Sequence, residues 1–180
     1  SAVMKIKSLL QKLNEEEFFP HSMQLDLLKN CPQHISTIAQ WIYDDWFNYD
    51  SSLTKEKLID SFKYRLNEET LPISFVIVRG GHPIGVISLK HRSEEFENYP
   101  HDSIWMGSLH VVLPERKKGL GQQLLKFVQR VVEGKGHQKL YFYTSDPSNV
   151  KWYIKNGAEL IEERPFRNHS ISVMSISLIP

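Results

Sequence analysis

The stretch with the clearest chemistry is Leu109-His-Val-Val-Leu-Pro-Glu-Arg-Lys-Lys-Gly-Leu-Gly-Gln-Gln-Leu-Leu125. An apolar run passes into a short basic loop with two glycines, and the loop opens directly into a helical pattern. Free N–H groups at such a helix start converge on one point, and the helix dipole adds partial positive charge there. Gly119 and Gly121 permit close approach and unusual φ. Arg116, Lys117 and Lys118 add charge for a pyrophosphate or a 3′-phosphate. The flanking glycines argue against a plain solvated charge run.

Two nucleotide readings fail on residues. A P-loop needs Lys and Ser/Thr after its last glycine, whereas Gln122 and Gln123 follow Gly121. A dinucleotide fingerprint needs a third glycine where Leu124 stands. The eight histidines include no His-Glu-x-x-His motif, so no metal is expected.

Arg116-Lys-Lys-Gly119-Leu-Gly121 resembles the acetyl-CoA signature of the GNAT superfamily of N-acetyltransferases, Gln/Arg-x-x-Gly-x-Gly/Ala. Asn149-Val-Lys-Trp-Tyr153-Ile-Lys-Asn-Gly157-Ala resembles that family's second signature. The element order matches over residues 22–178, and the residue-level match runs from about 104 to 165. In two places the chain departs from the family. Glu115 abuts Arg116 where one residue usually intervenes, and Ala158 replaces a usual aromatic, which reads as a packing change.

The resemblance implies acetyl-CoA as co-substrate and transfer of its acetyl group to a primary amine by direct attack in a ternary complex. The alternative is a non-catalytic CoA-binding or regulatory module. It implies cofactor contacts at Leu109, His110, Val111, Arg116, Lys117, Lys118, Gly119, Leu120, Gly121, Gln122, Asn149 and Tyr153. Pantetheine would lie where the fourth strand splays from the fifth, with a backbone N–H polarising the acetyl carbonyl. Tyr153 matches the general acid at the sulfur. Asn149, four residues earlier, shares its helix face.

The general base is less determined. His110 shares a strand face with Ser108 and is neutral in its reference state, so it can accept a proton or simply bond within the sheet. His91, Glu94, Glu95 and Asp102 can act through water from the polar 91–103 segment, and so can a water chain alone. Asp44, Asp45 and Asp50 form either an acidic rim favouring a cationic acceptor or a solvated helix end. Trp41, Tyr43 and Trp46 form an aromatic wall or core.

Positioning these groups takes a full domain. With 180 residues, 41% hydrophobic and 24% charged, the chain can bury one core. Its net charge of +1 excludes a global basic field for nucleic acid. No apolar run reaches the roughly 20 residues of a membrane span. The single cysteine, Cys31, forms no internal disulfide and reads as buried and inert. That usage, with no signal peptide, suggests a cytoplasmic protein. Ser1-Ala2-Val3 reads as a tag remnant.

Residues 1–21 read as an N-terminal helical extension and 22–180 as one GNAT domain. Apolar spacing predicts a strand at 22–28, a helix after Cys31-Pro32, and a second helix at 52–65. A hairpin follows around Gly80-Gly81, from runs 73–78 and 84–89, then a strand at 104–113 and a helix at 119–133. A strand at 140–143, a helix to about 156 and two last strands near 160–162 and 171–178 complete an α+β domain. With the resemblance, this becomes a mixed, mostly antiparallel sheet of about seven strands flanked by helices. An exposed last strand and N-terminal helix would suit a homodimer.

Overall fold

The computed structural model describes residues 4–20 and 22–178, so Ser1, Ala2 and Val3 lie outside the described residues. Its elements run α1 (Ile6–Glu15), β1 (Gln24–Leu27), α2 (Ile35–Trp46), α3 (Lys55–Lys63), β2 (Ile73–Arg79), β3 (His82–His91), β4 (Ile104–Val111), α4 (Leu120–Gly134), β5 (Lys139–Thr144), α5 (Pro147–Lys155), β6 (Ala158–Phe166) and β7 (His169–Ser177). The seven strands form one sheet in the order β1-β2-β3-β4-β5-β7-β6. The β4–β5 pair is parallel, and the other neighbours are antiparallel. This is the mixed α+β sheet that the element order implies.

One sheet face carries α1 and α4. Ile6, Leu10 and Leu13 of α1 share a buried cluster with Phe75 and Ile87 of the sheet and Leu124, Phe127 and Val128 of α4. Asn14 of α1 exchanges two hydrogen bonds with the Leu25 backbone, at 2.9 and 3.0 Å. Those bonds satisfy backbone groups on β1, the outermost strand on that side. The other face carries α2 and α3, whose Ile38, Ile42, Leu58 and Phe62 cover Val76 and Val86.

Segment ends depart from the apolar pattern where side chains cap the chain. The helix α3 starts at Lys55 because the Thr54 hydroxyl accepts the Lys57 N–H. The fourth strand stops at Val111 because Leu113–Glu115 turns into a short 3₁₀ segment. The 91–103 segment is polar in composition but not loose. Phe96 and Tyr99 are buried with Trp105, Phe166, Ile171 and Val173 in a third cluster. Cys31 is buried too, and burial raises its thiol to about 11, so it stays protonated. Among the described residues, no helix is long and apolar enough to cross a membrane.

Candidate active site

The β4–β5 pairing covers only Ile104↔Leu140 and Trp105↔Tyr141. From Met106 onward the two strands part, leaving one edge of β4 without a strand partner. A cavity of about 650 Å³ fills the opening.

On its other edge β4 pairs with β3, with one irregularity. Ser88 faces Gly107 and Val86 faces His110, so three steps of β4 oppose two of β3. This bulge places Ser108 at φ 55. The extra residue resets the side-chain alternation. Ser108 and His110 point toward α2 and α3, while Leu109 and Val111 pack with the α4 face. All four line the cavity.

After β4 the chain is fixed by Glu115. Its carboxylate is buried and accepts hydrogen bonds from Arg79 and, at 3.1 Å, from Lys118 Nζ. The Arg79 bond, then the Lys118 bond, holds this carboxyl below the usual range. The Lys118 amine is thereby turned onto Glu115, and Lys118 does not line the cavity. Arg116 Nε donates to the Val111 carbonyl at 2.7 Å, tying the loop back to the strand end. Lys117 takes φ 63 and Gly119 φ 83, so the chain reaches α4 through two left-handed residues. Gly119 caps α4 with no side chain, which leaves the first helical N–H groups to the cavity. Arg116, Lys117, Gly119, Leu120, Gly121 and Gln122 all line it.

The opposite wall is α5. Its N-cap is Asp146, which accepts from the Ser148 N–H at 2.9 Å. Asn149 lines the cavity one turn before Tyr153. The Tyr153 ring packs on Phe142 at 4.5 Å and Trp152 at 5.1 Å. Its hydroxyl has no hydrogen-bond partner among the described residues, and burial raises the phenol well above its usual range. Trp152 also lines the cavity, with its indole 3.5 Å from where a Cβ on Gly121 would stand. Neither apolar periodicity nor motif spacing singles out Trp152.

His110 is the one candidate base that reaches this cavity. Its Nδ1 lies 2.6 Å from Asp45 Oδ2, and its ring stacks on Trp41 at 5.2 Å. A carboxylate can only accept, so Nδ1 donates and Nε2 of the neutral ring is left as acceptor. His91, Glu94, Glu95 and Asp102 do not line the cavity. The three acids at the end of α2 part company. Asp45 holds His110, exposed Asp44 accepts from Gln40 at 2.8 Å, and Asp50 pairs with Arg167. Trp46 lines the cavity, whereas Tyr43 stacks away on Phe47 at 5.5 Å. Among the described residues, no group of three or more His, Cys, Asp or Glu is placed to hold a metal ion.

The sequence pattern described as the Acetyltransferase (GNAT) family matches residues 35–157. An aminoglycoside 6′-N-acetyltransferase complexed with coenzyme A superposes at a TM-score of 0.68 and 14% identity, over 87% of this chain and 97% of that one. An N-acetyltransferase from Staphylococcus aureus Mu50 superposes at 0.67 and 16%, over 88% and 100%. A spermidine N-acetyltransferase chimera from Vibrio cholerae and hSSAT gives 0.64 and 14%, over 88% and 96%. At these identities the likeness is one of fold. No curated protein matches the chain.

Proposed function

The chain belongs to the GNAT acetyltransferase family, and from that premise we propose that it transfers the acetyl group of acetyl-CoA to a primary amine of a small molecule or peptide. The observation that carries this reading is the cavity at the β4–β5 parting. It has an uncapped helix start with basic residues at one wall and Tyr153 at the other.

The α4 N-terminus, Arg116 and Lys117 bind the phosphates of the co-substrate, because oriented N–H dipoles and fixed positive charge meet there. Pantetheine runs along the unpaired edge of β4, and a backbone N–H near Leu109 to Val111 polarises the acetyl carbonyl. The amine nitrogen attacks the carbonyl carbon while His110 Nε2 takes its proton and Asp45 stabilises the resulting imidazolium. The C–S bond then breaks, and the sulfur leaves as a thiolate that takes the Tyr153 hydroxyl proton. Burial keeps the Tyr153 phenol protonated, so its hydroxyl is present as a donor when the sulfur leaves.

The co-substrate is tested by thermal shift and calorimetry with acetyl-CoA beside ATP and NADH. A ligand that binds only the folded protein raises its melting temperature by mass action. Selective stabilisation by acetyl-CoA is expected, and equal or better stabilisation by ATP would remove the reading. His110→Ala is expected to lower turnover about 100-fold, the low end for general-base catalysis. A variant that keeps wild-type turnover would pass the role to a water chain.

A further inference from the structure

Behind the β4 bulge, on the α2 and α3 face, lies a second cavity of about 160 Å³. It shares Trp46, Met106, Gly107, Ser108 and Tyr143 with the larger one, so the two meet where β4 leaves β5. Its charge is the informative feature. Arg65, Lys90, Arg167 and Asp50 line it. Arg167 and Asp50 neutralise each other, and Glu95 lies 3.4 Å from the same guanidinium.

Arg65 and Lys90 make no ion pair among the described residues, although Glu95 also acts on Lys90 from a distance. The Arg65 guanidinium donates to the hydroxyls of Ser88 and Ser108 at 3.0 Å and of Ser61 at 2.8 Å. It meets no carboxylate among the described residues. Lys90 Nζ has neither a hydrogen bond nor an ion pair among them. Its Cε lies 3.9 Å from where a Cβ on Gly107 would stand, an ordinary contact that places the lysine stem beside the parting of the strands. Arg65, Lys90 and Arg167 against Asp50 and Glu95 leave this small space with one positive charge in excess, which an anion joining Arg65 and Lys90 would balance. Burial lowers Lys90 to about 8, with the Arg65 charge adding to the effect and Glu95 opposing it, and burial lowers Arg65 to about 10.

We infer that this pocket receives an anionic group of the acceptor, so that the acceptor is an amine bearing a carboxylate close to its nitrogen. The inference rests on the transfer reading above and narrows it. Ser108 touches Arg65 and lines both cavities, so only a few bonds separate the anion from the attacking nitrogen. Polyamines and aminoglycosides would add like charge to Arg65 and Lys90 and would be rejected. The carboxylate can belong to a free amino acid or to an acidic N-terminal residue of a peptide.

The test is a panel of free amino acids, the matching amino-acid amides, spermidine, and C-terminally amidated peptides beginning with Asp, Glu or Ala. Wild-type protein is expected to favour each free acid over its amide by at least about 100-fold in kcat/KM, as sites built around a buried polar partner do. If the peptide is the source, the Asp or Glu peptide is favoured over the Ala peptide instead. Arg65→Gln disturbs three hydroxyl partners and can fail to fold. Lys90→Met keeps the stem, removes an unpaired charge, and is the decisive variant. It should raise KM for the acid about 10-fold or more, with kcat within a few-fold and the acetyl-CoA Kd unchanged. Amides, spermidine or the Ala peptide used as well as the acids would overturn the inference, and so would an unaltered KM in Lys90→Met. If acetyl-CoA binds but nothing is acetylated, the transfer reading falls, and calorimetry of the same probes with the CoA-loaded protein decides the pocket. Binding selective for acids and weakened in Lys90→Met keeps the assignment, and unselective or absent binding removes it.

Discussion

Tyr153→Phe is expected to lower kcat by about 100- to 1,000-fold, within the range for loss of a positioned general acid. Acetyl-CoA affinity should change little. The substitution removes one oxygen and keeps the ring, so packing on Phe142 and Trp152 survives. The Tyr153 hydroxyl has no hydrogen-bond partner among the described residues and belongs to the cavity wall, so its loss leaves no buried group unsatisfied. The melting temperature should therefore hold while turnover collapses. Steady-state kinetics, calorimetry and thermal melting of the one variant separate the two roles. Equal losses of kcat and affinity, or a lowered melting temperature, would make Tyr153 a structural residue and leave the sulfur to take its proton from solvent.

Gly121→Asp is expected to weaken acetyl-CoA binding by about 100-fold or more. A carboxylate some 4–6 Å from the phosphates, at an effective dielectric near 20, costs about 3–4 kcal/mol. The fold should tolerate the change. A Cβ at Gly121 would meet only Trp152, at 3.5 and 3.6 Å, an ordinary contact, and the backbone there is not left-handed. An acid in the first turn of α4 even favours the helix dipole. The expected signature is loss of the acetyl-CoA calorimetric signal with an unchanged or raised melting temperature of the unliganded protein. Gly119 would make a poorer test, because at φ 83 any side chain strains the turn itself. Unchanged affinity in Gly121→Asp would move the phosphates away from α4.

Both predictions fall on residues that sequence motifs point to, and this reflects how local those signals are. The strand, basic loop and helix from Leu109 to Leu125 declare themselves through apolar periodicity, charge and two glycines within one short stretch. The Asn149 and Tyr153 pair needs only helical spacing to share a face. The order of strands and helices follows from the same local patterns. So does the burial of Cys31, a residue type that is usually interior.

The remaining features depend on contacts that no local pattern contains. The phase of β4 is set by a bulge visible only against β3, where Gly107 to His110 take three steps to two. Asp45 became the partner of His110 across 65 residues, because α2 crosses the sheet over that bulge. The same packing divided the acids at the end of α2 among Gln40, His110 and Arg167. It folded the polar 91–103 segment around Phe96 and Tyr99, away from the cavity. Arg65, on the turn after α3, and Lys90, at the end of β3, carry no motif. Only the tertiary fold brings both to one pocket without giving either a direct carboxylate partner among the described residues. Local propensity and spacing thus determined which family of sites this chain can build, while the electrostatics of the acceptor pocket emerge from which distant side chains the sheet brings together.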